Sequence, residues 1–249
     1  KIEKNTPIMS QTKSQGKVFM GVNILGTEDY DHSIPPDVRQ ILIDSRTFLV
    51  ENTKNARRFL RKLDRSFPID DSHFYEIGKH ADLEKHLYEL KSVLNRGENL
   101  IVLSDAGCSG VADPGAKVAA WAHENNIHVH PLVGPSSIIL ALMASGFNGQ
   151  KFRFNGYLPR ERKERQRALK DFEKLVKTQN ETQLFMDTPF RNMHVLEDMF
   201  EILEPQTRVC IAANLTHPDQ YIRTINVAEL ESLSPKIEKM PLIFAIGKH

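Results

Sequence analysis

The sequence predicts an α/β protein of two domains, the first built on a mostly parallel sheet and the second on a mixed sheet. From Lys17 onward, short apolar runs alternate with amphipathic segments, which is typical of repeated βα units. Residues 146–159, "GFNGQKFRFNGYLP", interrupt this pattern with three glycines and a proline. At 249 residues with 40% hydrophobic composition, the chain is long enough for two cores.

The first half predicts its elements in a regular order. A strand in "KVFMGVNIL" precedes a helix from about Pro35, a strand in "TFLVE" and a helix in "KNARRFLRKL". A helix from about Asp82 to Asn95, a strand "NLIVL", a helix "AKVAAWAHENN", a strand "IHVHPL" and a helix "IILALMASG" follow. Because helices separate these strands, we expect a mostly parallel sheet with its loops gathered at one edge.

The second half predicts a different layer. The helix "RERKERQRALKDFEKLVK" leads to the strand "TQLFMD", the helix "RNMHVLEDMFEIL" and strands in "TRVCIAA", "QYIRTI" and "PLIFAIG". Consecutive strands without a helix between them favour some antiparallel pairing. We therefore predict a flexible N-terminal segment at residues 1–16, a first domain at 17–149 and a second at 150–249.

Composition excludes several classes of protein. Thirty-three Lys and Arg residues against 32 Asp and Glu residues leave a net charge of +1, so the whole chain offers no field that attracts nucleic acid or a membrane. Cys108 and Cys210 lack metal-ligand spacing, which argues against a disulfide scaffold or a zinc module. With neither a spanning apolar run nor a secretory signal in this sequence, we expect a cytoplasmic protein that does not contact membranes.

Three glycine-containing turns, "SDAG", "ADPG" and "VGPSS", fall at predicted strand-to-helix junctions. Glycine there lets a ligand approach backbone amides, although each turn alone is equally consistent with a plain connection. The GxGxxG and GxxxxGK[ST] patterns are missing, so the usual dinucleotide and P-loop cradles are not supported. Taken together, the three turns favour a binding site for a ligand of another kind.

Two other features point only weakly to chemistry. A nucleophilic Cys108 would need a nearby base, and no histidine accompanies it in the sequence. His128 and His130 alternate on a predicted strand and share a face, but without a third ligand we predict no metal site.

Two basic runs could bind an anionic partner. "RERKERQRALK" begins with Arg160 and Arg162, and "NTKNARRFLRK" contains Arg57 and Arg58. Each run is as typical of a solvated helix face as of a surface that contacts RNA phosphates or another anionic substrate.

In this order, "SDAG" with "DPG", "VGPSS" with "ALMASG", "FNGYLP" before a basic helix, and "TPFR" resemble the tetrapyrrole methylase superfamily of S-adenosylmethionine-dependent methyltransferases. Within it, the chain resembles the branch that methylates a cytidine ribose 2′-hydroxyl of small-subunit ribosomal RNA. The resemblance covers about residues 18–247 and implies two α/β domains, S-adenosyl-L-methionine in the cleft between them, and a homodimer.

The resemblance also implies roles for individual residues. The positions that match cofactor-contacting segments are Asp105, Ala106, Gly107, Cys108, Ser136, Ser137, Ile138, Phe185, Met186, Ala212, Ala213, Pro241 and Leu242. A ribose hydroxyl must lose its proton during transfer, and Glu51 and Asp187 are the candidate bases. The candidate substrate-binding residues are Arg57, Arg58, Arg160, Arg162 and Arg191, while no metal is implied.

The sequence departs from the family pattern mainly on the substrate side. The family's early "TPIGN" signature is "NILGT" here, at residues 23–27. Asn52 stands where the family has an acidic residue, and Asn55 and Phe190 each stand where it has a histidine. Two alternatives therefore stand beside ribosomal RNA methylation. The first is methylation of a porphyrin, a corrin or another small molecule, and the second is a catalytically silent module that binds RNA or the ribosome.

Overall fold

The computed structural model describes residues 15–26, 30–78, 83–230 and 237–248. The predicted flexible segment at 1–16 therefore lies almost wholly outside the described residues, as do Thr27 of the "NILGT" segment and Asp82 at the predicted start of a helix. The chain forms two compact units, one of Lys1–Asn23 and Pro35–Val133, the other of Ile24–Ile34 and Gly134–His249.

The first unit is built on a parallel sheet. Its strands are β1 (Val18–Met20), β2 (Val22–Asn23), β3 (Thr47–Val50), β4 (His73–Glu76), β5 (Leu100–Leu103), β6 (Gly107–Cys108) and β7 (Val129–Pro131). Five of them form a sheet in the order β4-β3-β5-β1-β7, in which every pair is parallel. Strands β2 and β6 form a separate antiparallel pair. The predicted mostly parallel sheet is confirmed.

In the described part of this unit, four helices connect the strands. They are α1 (Pro36–Asp44), α2 (Thr53–Leu63), α3 (Leu83–Asn95) and α4 (Gly115–Glu124). Apolar residues at helical spacing place Leu90 and Leu94 of α3 and Val118 of α4 against Leu49 and Val102 of the sheet. Burial of this apolar surface is the main favourable contribution to folding of the unit.

The second unit is built on a mixed sheet. Its strands are β8 (Phe152–Tyr157), β9 (Thr182–Met186), β10 (Arg208–Ala213), β11 (Tyr221–Asn226) and β12 (Leu242–Gly247), and its helices are α5 (Ser137–Ser145), α6 (Arg162–Gln179) and α7 (Asn192–Ile202). The strand order is β11-β10-β12-β9-β8. Strands β8 and β9 are parallel and the other pairs are antiparallel, which confirms the predicted mixed sheet.

Helix α5 explains why the units divide at residue 134 rather than at the predicted boundary of 149 and 150. Ala141 and Leu142 of α5 pack on Leu184, Ala212 and Ala245 of the second sheet, so the helix belongs to the second unit. Of the glycines that suggested a boundary, Gly146 ends α5 with a φ of +73°. Gly156 lies within β8 and has a φ of +68° beside a break in the β8–β9 register. Glycine takes this conformation at the lowest cost.

Candidate functional site

In the first unit, Glu51 and Asp105 meet where two neighbouring parallel strands end. Glu51 is the first residue after β3, and Asp105 is the second residue after β5. Both therefore lie at the carboxyl edge of the sheet. The Glu51 carboxylate accepts a hydrogen bond from the Asp105 backbone N–H at 2.8 Å. The Asn55 side chain donates to the Asp105 carboxylate at 2.9 Å. Glu51 and Asn55 therefore fix the start of the "SDAG" loop from two sides.

Asn52, a departure from the family pattern, is the N-cap of helix α2. Its side chain accepts a hydrogen bond from the Asn55 backbone N–H at 3.0 Å, which satisfies one of the free donors at the start of the helix. The helix then presents Arg57 and Arg58 on its exposed face, and the Arg57 guanidinium lies 5.1 Å from the ring centroid of Phe74.

The local electrostatics make Glu51 a better proton acceptor than an ordinary carboxylate. Partial burial raises its pKa, and the negative charges of Asp105 and Asp113 raise it further. The hydrogen bond from the Asp105 backbone lowers it, but the net direction is upward. A carboxyl with a raised pKa holds a proton more readily near neutral pH, as general-base catalysis requires.

The "DPG" turn is closed by its own aspartate. The Asp113 carboxylate accepts hydrogen bonds from the backbone N–H of Gly110 at 2.9 Å and of Gly115 at 2.6 Å, and burial raises its pKa. A Cβ on Gly115 would lie 2.7 Å from an Asp113 oxygen and 3.0 Å from Val102 Cγ1. These contacts close the "DPG" turn upon itself, whereas Asp105 and Ala106 of the neighbouring "SDAG" loop are exposed.

Asn23 supports the same loop and was not predicted as a site residue. It is buried, and its side-chain amide donates to the carbonyls of Ser104 and Asp105, each at 3.1 Å. Gly107, with a φ of +70°, pairs with Asn23 across β2 and β6. A polar residue at the end of the apolar run "KVFMGV" was the signal in the sequence.

The structure gives Cys108 and the two histidines no catalytic setting. Burial raises the pKa of the Cys108 thiol, which disfavours the thiolate that a nucleophile needs. His128 and His130 stack with ring centroids 6.2 Å apart. Within the described residues, no three His, Cys, Asp or Glu side chains group as metal ligands would.

In the second unit, the residues expected to contact the cofactor lie on opposite faces of the sheet. Ile138, Met186 and Ala212 lie on the face that packs against α5. Phe185, Ala213 and Leu242 lie in the core on the other face, with α6 and α7. The structure therefore groups the first three, whereas the side chains of the other three are occupied by the core.

The remaining cofactor candidates lie in loops or at a helix start. Ser136 and Ser137 begin α5, and the Ser136 hydroxyl accepts from the Ile139 backbone N–H at 3.5 Å. Pro241 precedes β12, and its carbonyl accepts from the Asn214 backbone N–H at 2.9 Å.

Asp187 lies directly after β9, with its carboxylate buried. One oxygen accepts the Thr188 backbone N–H at 2.6 Å and pairs with the Arg191 guanidinium at 2.5 Å. The other oxygen is buried without a hydrogen-bond partner in the part of the chain that the structure describes. Such a carboxylate is costly to bury alone, and Arg191 compensates its charge.

Arg191 lines an open pocket beside this ion pair. The pocket has a volume of about 310 Å³ and is lined by Arg160, Thr188 and Arg191. Arg162, two residues further on, is instead paired with Asp198 at 2.9 Å and Glu201 at 2.5 Å. Of the two candidates from the basic run, Arg160 is thus placed at the pocket, while the charge of Arg162 is used between α6 and α7.

Comparison with known proteins identifies the family. The family model for tetrapyrrole (corrin/porphyrin) methylases matches residues 30–231. Ribosomal RNA small subunit methyltransferase I from Vibrio cholerae is 30% identical over 73% of this chain and 59% of its own length. The enzyme of that name from Pseudomonas aeruginosa is 27% identical over 87% and 72%, and that from Thermotoga maritima is 33% identical over 64% and 68%.

Solved structures agree at the level of the fold. Diphthine synthase aligns with a TM-score of 0.63 at 11% identity over 92% of this chain and 88% of its own. Uroporphyrin III C-methyltransferase from Thermus thermophilus aligns with a TM-score of 0.57 at 14% identity over 94% and 98%. No helix within the described ranges has the length and apolar character that a membrane crossing requires. The family model and the three relatives together confirm the resemblance: the chain belongs to the tetrapyrrole (corrin/porphyrin) methylase family.

Proposed function

We propose that this protein is an S-adenosylmethionine-dependent methyltransferase that methylates a ribose 2′-hydroxyl of small-subunit ribosomal RNA. One observation supports the substrate above all. The relatives named as ribosomal RNA small subunit methyltransferase I are 27% to 33% identical to the chain. The uroporphyrin enzyme has a sequence identity of 14% to the chain, which supports a common fold but not a common substrate. The chain spans 59% of the length of the Vibrio relative.

The residues of the "SDAG" loop suit this cofactor. Asp105 and Ala106 are exposed, and the positive φ of Gly107 leaves room for a ligand close to the backbone. The exposed Asp105 carboxylate complements the positive charges of the methionine part, and the loop has no cation for a phosphate. The flexible side chain of Met186 and the small one of Ala212, which share an apolar cluster, suit the adenosine.

The cofactor supplies a methyl group activated by a sulfonium, so the protein mainly has to align the acceptor and take up its proton. Glu51 is the better placed of the two candidate bases, because its pKa is raised. The Asp187 carboxylate is instead bound to Arg191. We therefore propose that Glu51 acts as the general base and that Asp187 positions Arg191.

We further propose that the chain works in the cytoplasm as a homodimer. Both cysteines are free thiols, as is usual in a reducing compartment, and the family resemblance supports the dimer. Light scattering coupled to gel filtration tests the dimer, and a monomer at micromolar concentration would contradict it.

Calorimetry with S-adenosylmethionine tests the enzyme proposal. We expect micromolar binding that Asp105→Ala weakens, while no binding at millimolar cofactor would favour a catalytically silent module. Labelled cofactor is then offered with small ribosomal subunits or with a uroporphyrinogen. Label in the RNA supports the proposal. Label in the tetrapyrrole alone would show that the substrate is a tetrapyrrole and not ribosomal RNA.

A further inference from the structure

The arginine pocket lies where the two parallel strands of the second sheet end. Leu158, just after β8, donates its N–H to the Met186 carbonyl at the end of β9, at 3.1 Å. The Arg191 guanidinium also reaches the carbonyls of Leu158 and Pro159 at 3.4 and 3.5 Å. Both chain segments leave the sheet together at its carboxyl edge, where α/β proteins commonly bind ligands.

The lining of the pocket favours an anion. Arg160 and Arg191 contribute two positive charges and Thr188 contributes polar groups. The Asp187 carboxylate beside the pocket is buried and pairs with Arg191 through one oxygen. This pair compensates one charge and fixes the guanidinium, so a net positive charge remains for a ligand.

An exposed aromatic ring lies in the same turn. Phe190, within the 3-10 helix Pro189–Arg191, is 78% exposed, and Tyr157 at the end of β8 is 58% exposed. Rings so exposed contribute little to the core. Aromatic rings beside arginines are the usual components of sites for single-stranded nucleic acid, because bases stack on the rings and phosphates bind the cations.

We propose that this turn binds one unpaired nucleotide of an RNA substrate. The base stacks on Phe190, and the adjoining phosphate is held by Arg160 and Arg191, with Thr188 as a hydrogen-bond donor. This inference deepens the proposed function and rests on it for the choice of RNA over a tetrapyrrole. It requires a single-stranded or unstacked target, because a base inside a duplex does not offer its face to a side chain.

Fluorescence anisotropy with a labelled single-stranded RNA of about twelve nucleotides tests the stacking. We expect Phe190→Ala to weaken binding about tenfold and Phe190→Trp to retain it. The matched control is Phe152→Ala, which removes a ring that is 39% exposed at the opposite end of β8 and should leave the affinity unchanged. A duplex of the same sequence should bind Phe190→Ala and the unmodified chain equally.

Salt titrations test the phosphate contact. Arg160→Gln should reduce the slope of log K against log salt concentration by about 0.7, the value for one phosphate on a single strand. Lys174→Gln removes one exposed positive charge from α6 and should not change the slope. Arg191→Lys keeps a cation beside Asp187 and should weaken binding without unfolding the protein.

Unchanged RNA affinity for Phe190→Ala, or an equal loss for the duplex, would overturn the inference. Displacement of the RNA by uroporphyrin, with the same variants weakening porphyrin binding, would assign the pocket to a tetrapyrrole and also overturn it. The methyltransferase proposal fails separately. If S-adenosylmethionine does not bind but Phe190→Ala still weakens the binding of single-stranded RNA, the nucleotide site is supported and only the methyltransferase proposal fails.

Discussion

Single residues decide the shape of the "SDAG" and "DPG" loops. Asp113 points back into its own turn and accepts the N–H groups of Gly110 and Gly115, while Asn23 holds the carbonyls on the other side of the loop. Hydrogen bonds that satisfy buried backbone groups are worth about 1 kcal/mol each, and leaving such a group unpaired costs more. These hydrogen bonds therefore stabilise the conformation that the loop has in the structure.

The close contacts at Gly115 predict that Gly115→Ala is destabilising. The added methyl group would lie 2.7 Å from the Asp113 carboxylate and 3.1 Å from the Gly110 nitrogen, and we expect a loss of about 1 to 3 kcal/mol. Urea unfolding measures it. Gly78→Ala is the control in the same unit, because among the described residues its Cβ would meet only the Glu51 carbonyl oxygen, at 3.7 Å. Equal midpoints for the two variants would contradict the prediction.

The raised pKa of Glu51 predicts that Glu51→Gln separates stability from activity. A carboxyl whose pKa is higher in the folded state than the ordinary 4.5 makes stability fall as pH rises from the unfolded to the folded value. The amide can still accept the Asp105 N–H without this cost. We expect Glu51→Gln to be at least as stable as the parent at pH 7, with methyl transfer reduced about a hundredfold.

The comparison for Glu51 is made at two pH values. Below pH 4 the advantage in stability should disappear, since both folded and unfolded chains then carry a neutral group at position 51. Undiminished methyl transfer by Glu51→Gln would exclude it as the base and would return the role to Asp187.

At the scale of elements, α6 and α7 are joined by a buried ion pair. Arg165 and Asp198 lie 2.6 Å apart with side chains that are nearly inaccessible to solvent. Burial alone would raise the pKa of Asp198, but hydrogen bonds from Arg162, Arg165 and Gln166 outweigh it and lower the pKa. The stability that this carboxylate contributes is present above its unfolded pKa and is lost as the pH falls through the folded one.

Asp198→Asn should therefore destabilise the protein by about 3 kcal/mol, because it leaves Arg165 buried without a counter-charge. Arg162→Gln removes the exposed partner of the same carboxylate and should cost clearly less, because solvent screens that pair. Thermal or urea unfolding of both variants checks this order. A larger effect for Arg162→Gln would mean that the exposed pair is the main connection between the helices.

Helices and strands were predictable from the sequence where their apolar periodicity was strong. The contacts that join one element to another were harder to predict. The apolar runs of β5, β10 and β12 and the helical spacing of α3 gave these elements directly. Strand β8 was missed because glycine and proline around "FRFNGYLP" indicate a break, whereas the chain uses Gly156 at a register irregularity. The charge partners of Arg162 and Arg165 are more than thirty residues away in sequence, which a local pattern cannot show.

At the scale of the whole molecule, a ligand that binds only the folded chain should stabilise it. S-adenosylhomocysteine at a hundred times its Kd should add about 2.7 kcal/mol to the free energy of unfolding, visible as a higher Tm. ATP should give no comparable shift, because the sequence has no phosphate-binding motif. A shift with ATP alone would contradict the proposed cofactor, and Asp105→Ala should reduce the shift with S-adenosylhomocysteine.

The path of the chain between the two units constrains how the protein is made. Residues 24–34 belong to the second unit although the first unit surrounds them in sequence. Leu25 packs with the core beside α5, and the Gly26 N–H donates to Thr216 Oγ1 at 3.3 Å. During synthesis Gly26 leaves the ribosome about 190 residues before Thr216. We therefore expect the segment to lack its contacts with the second unit while the first unit folds. Neither unit is one continuous stretch of chain, and no single cut separates them into two complete pieces.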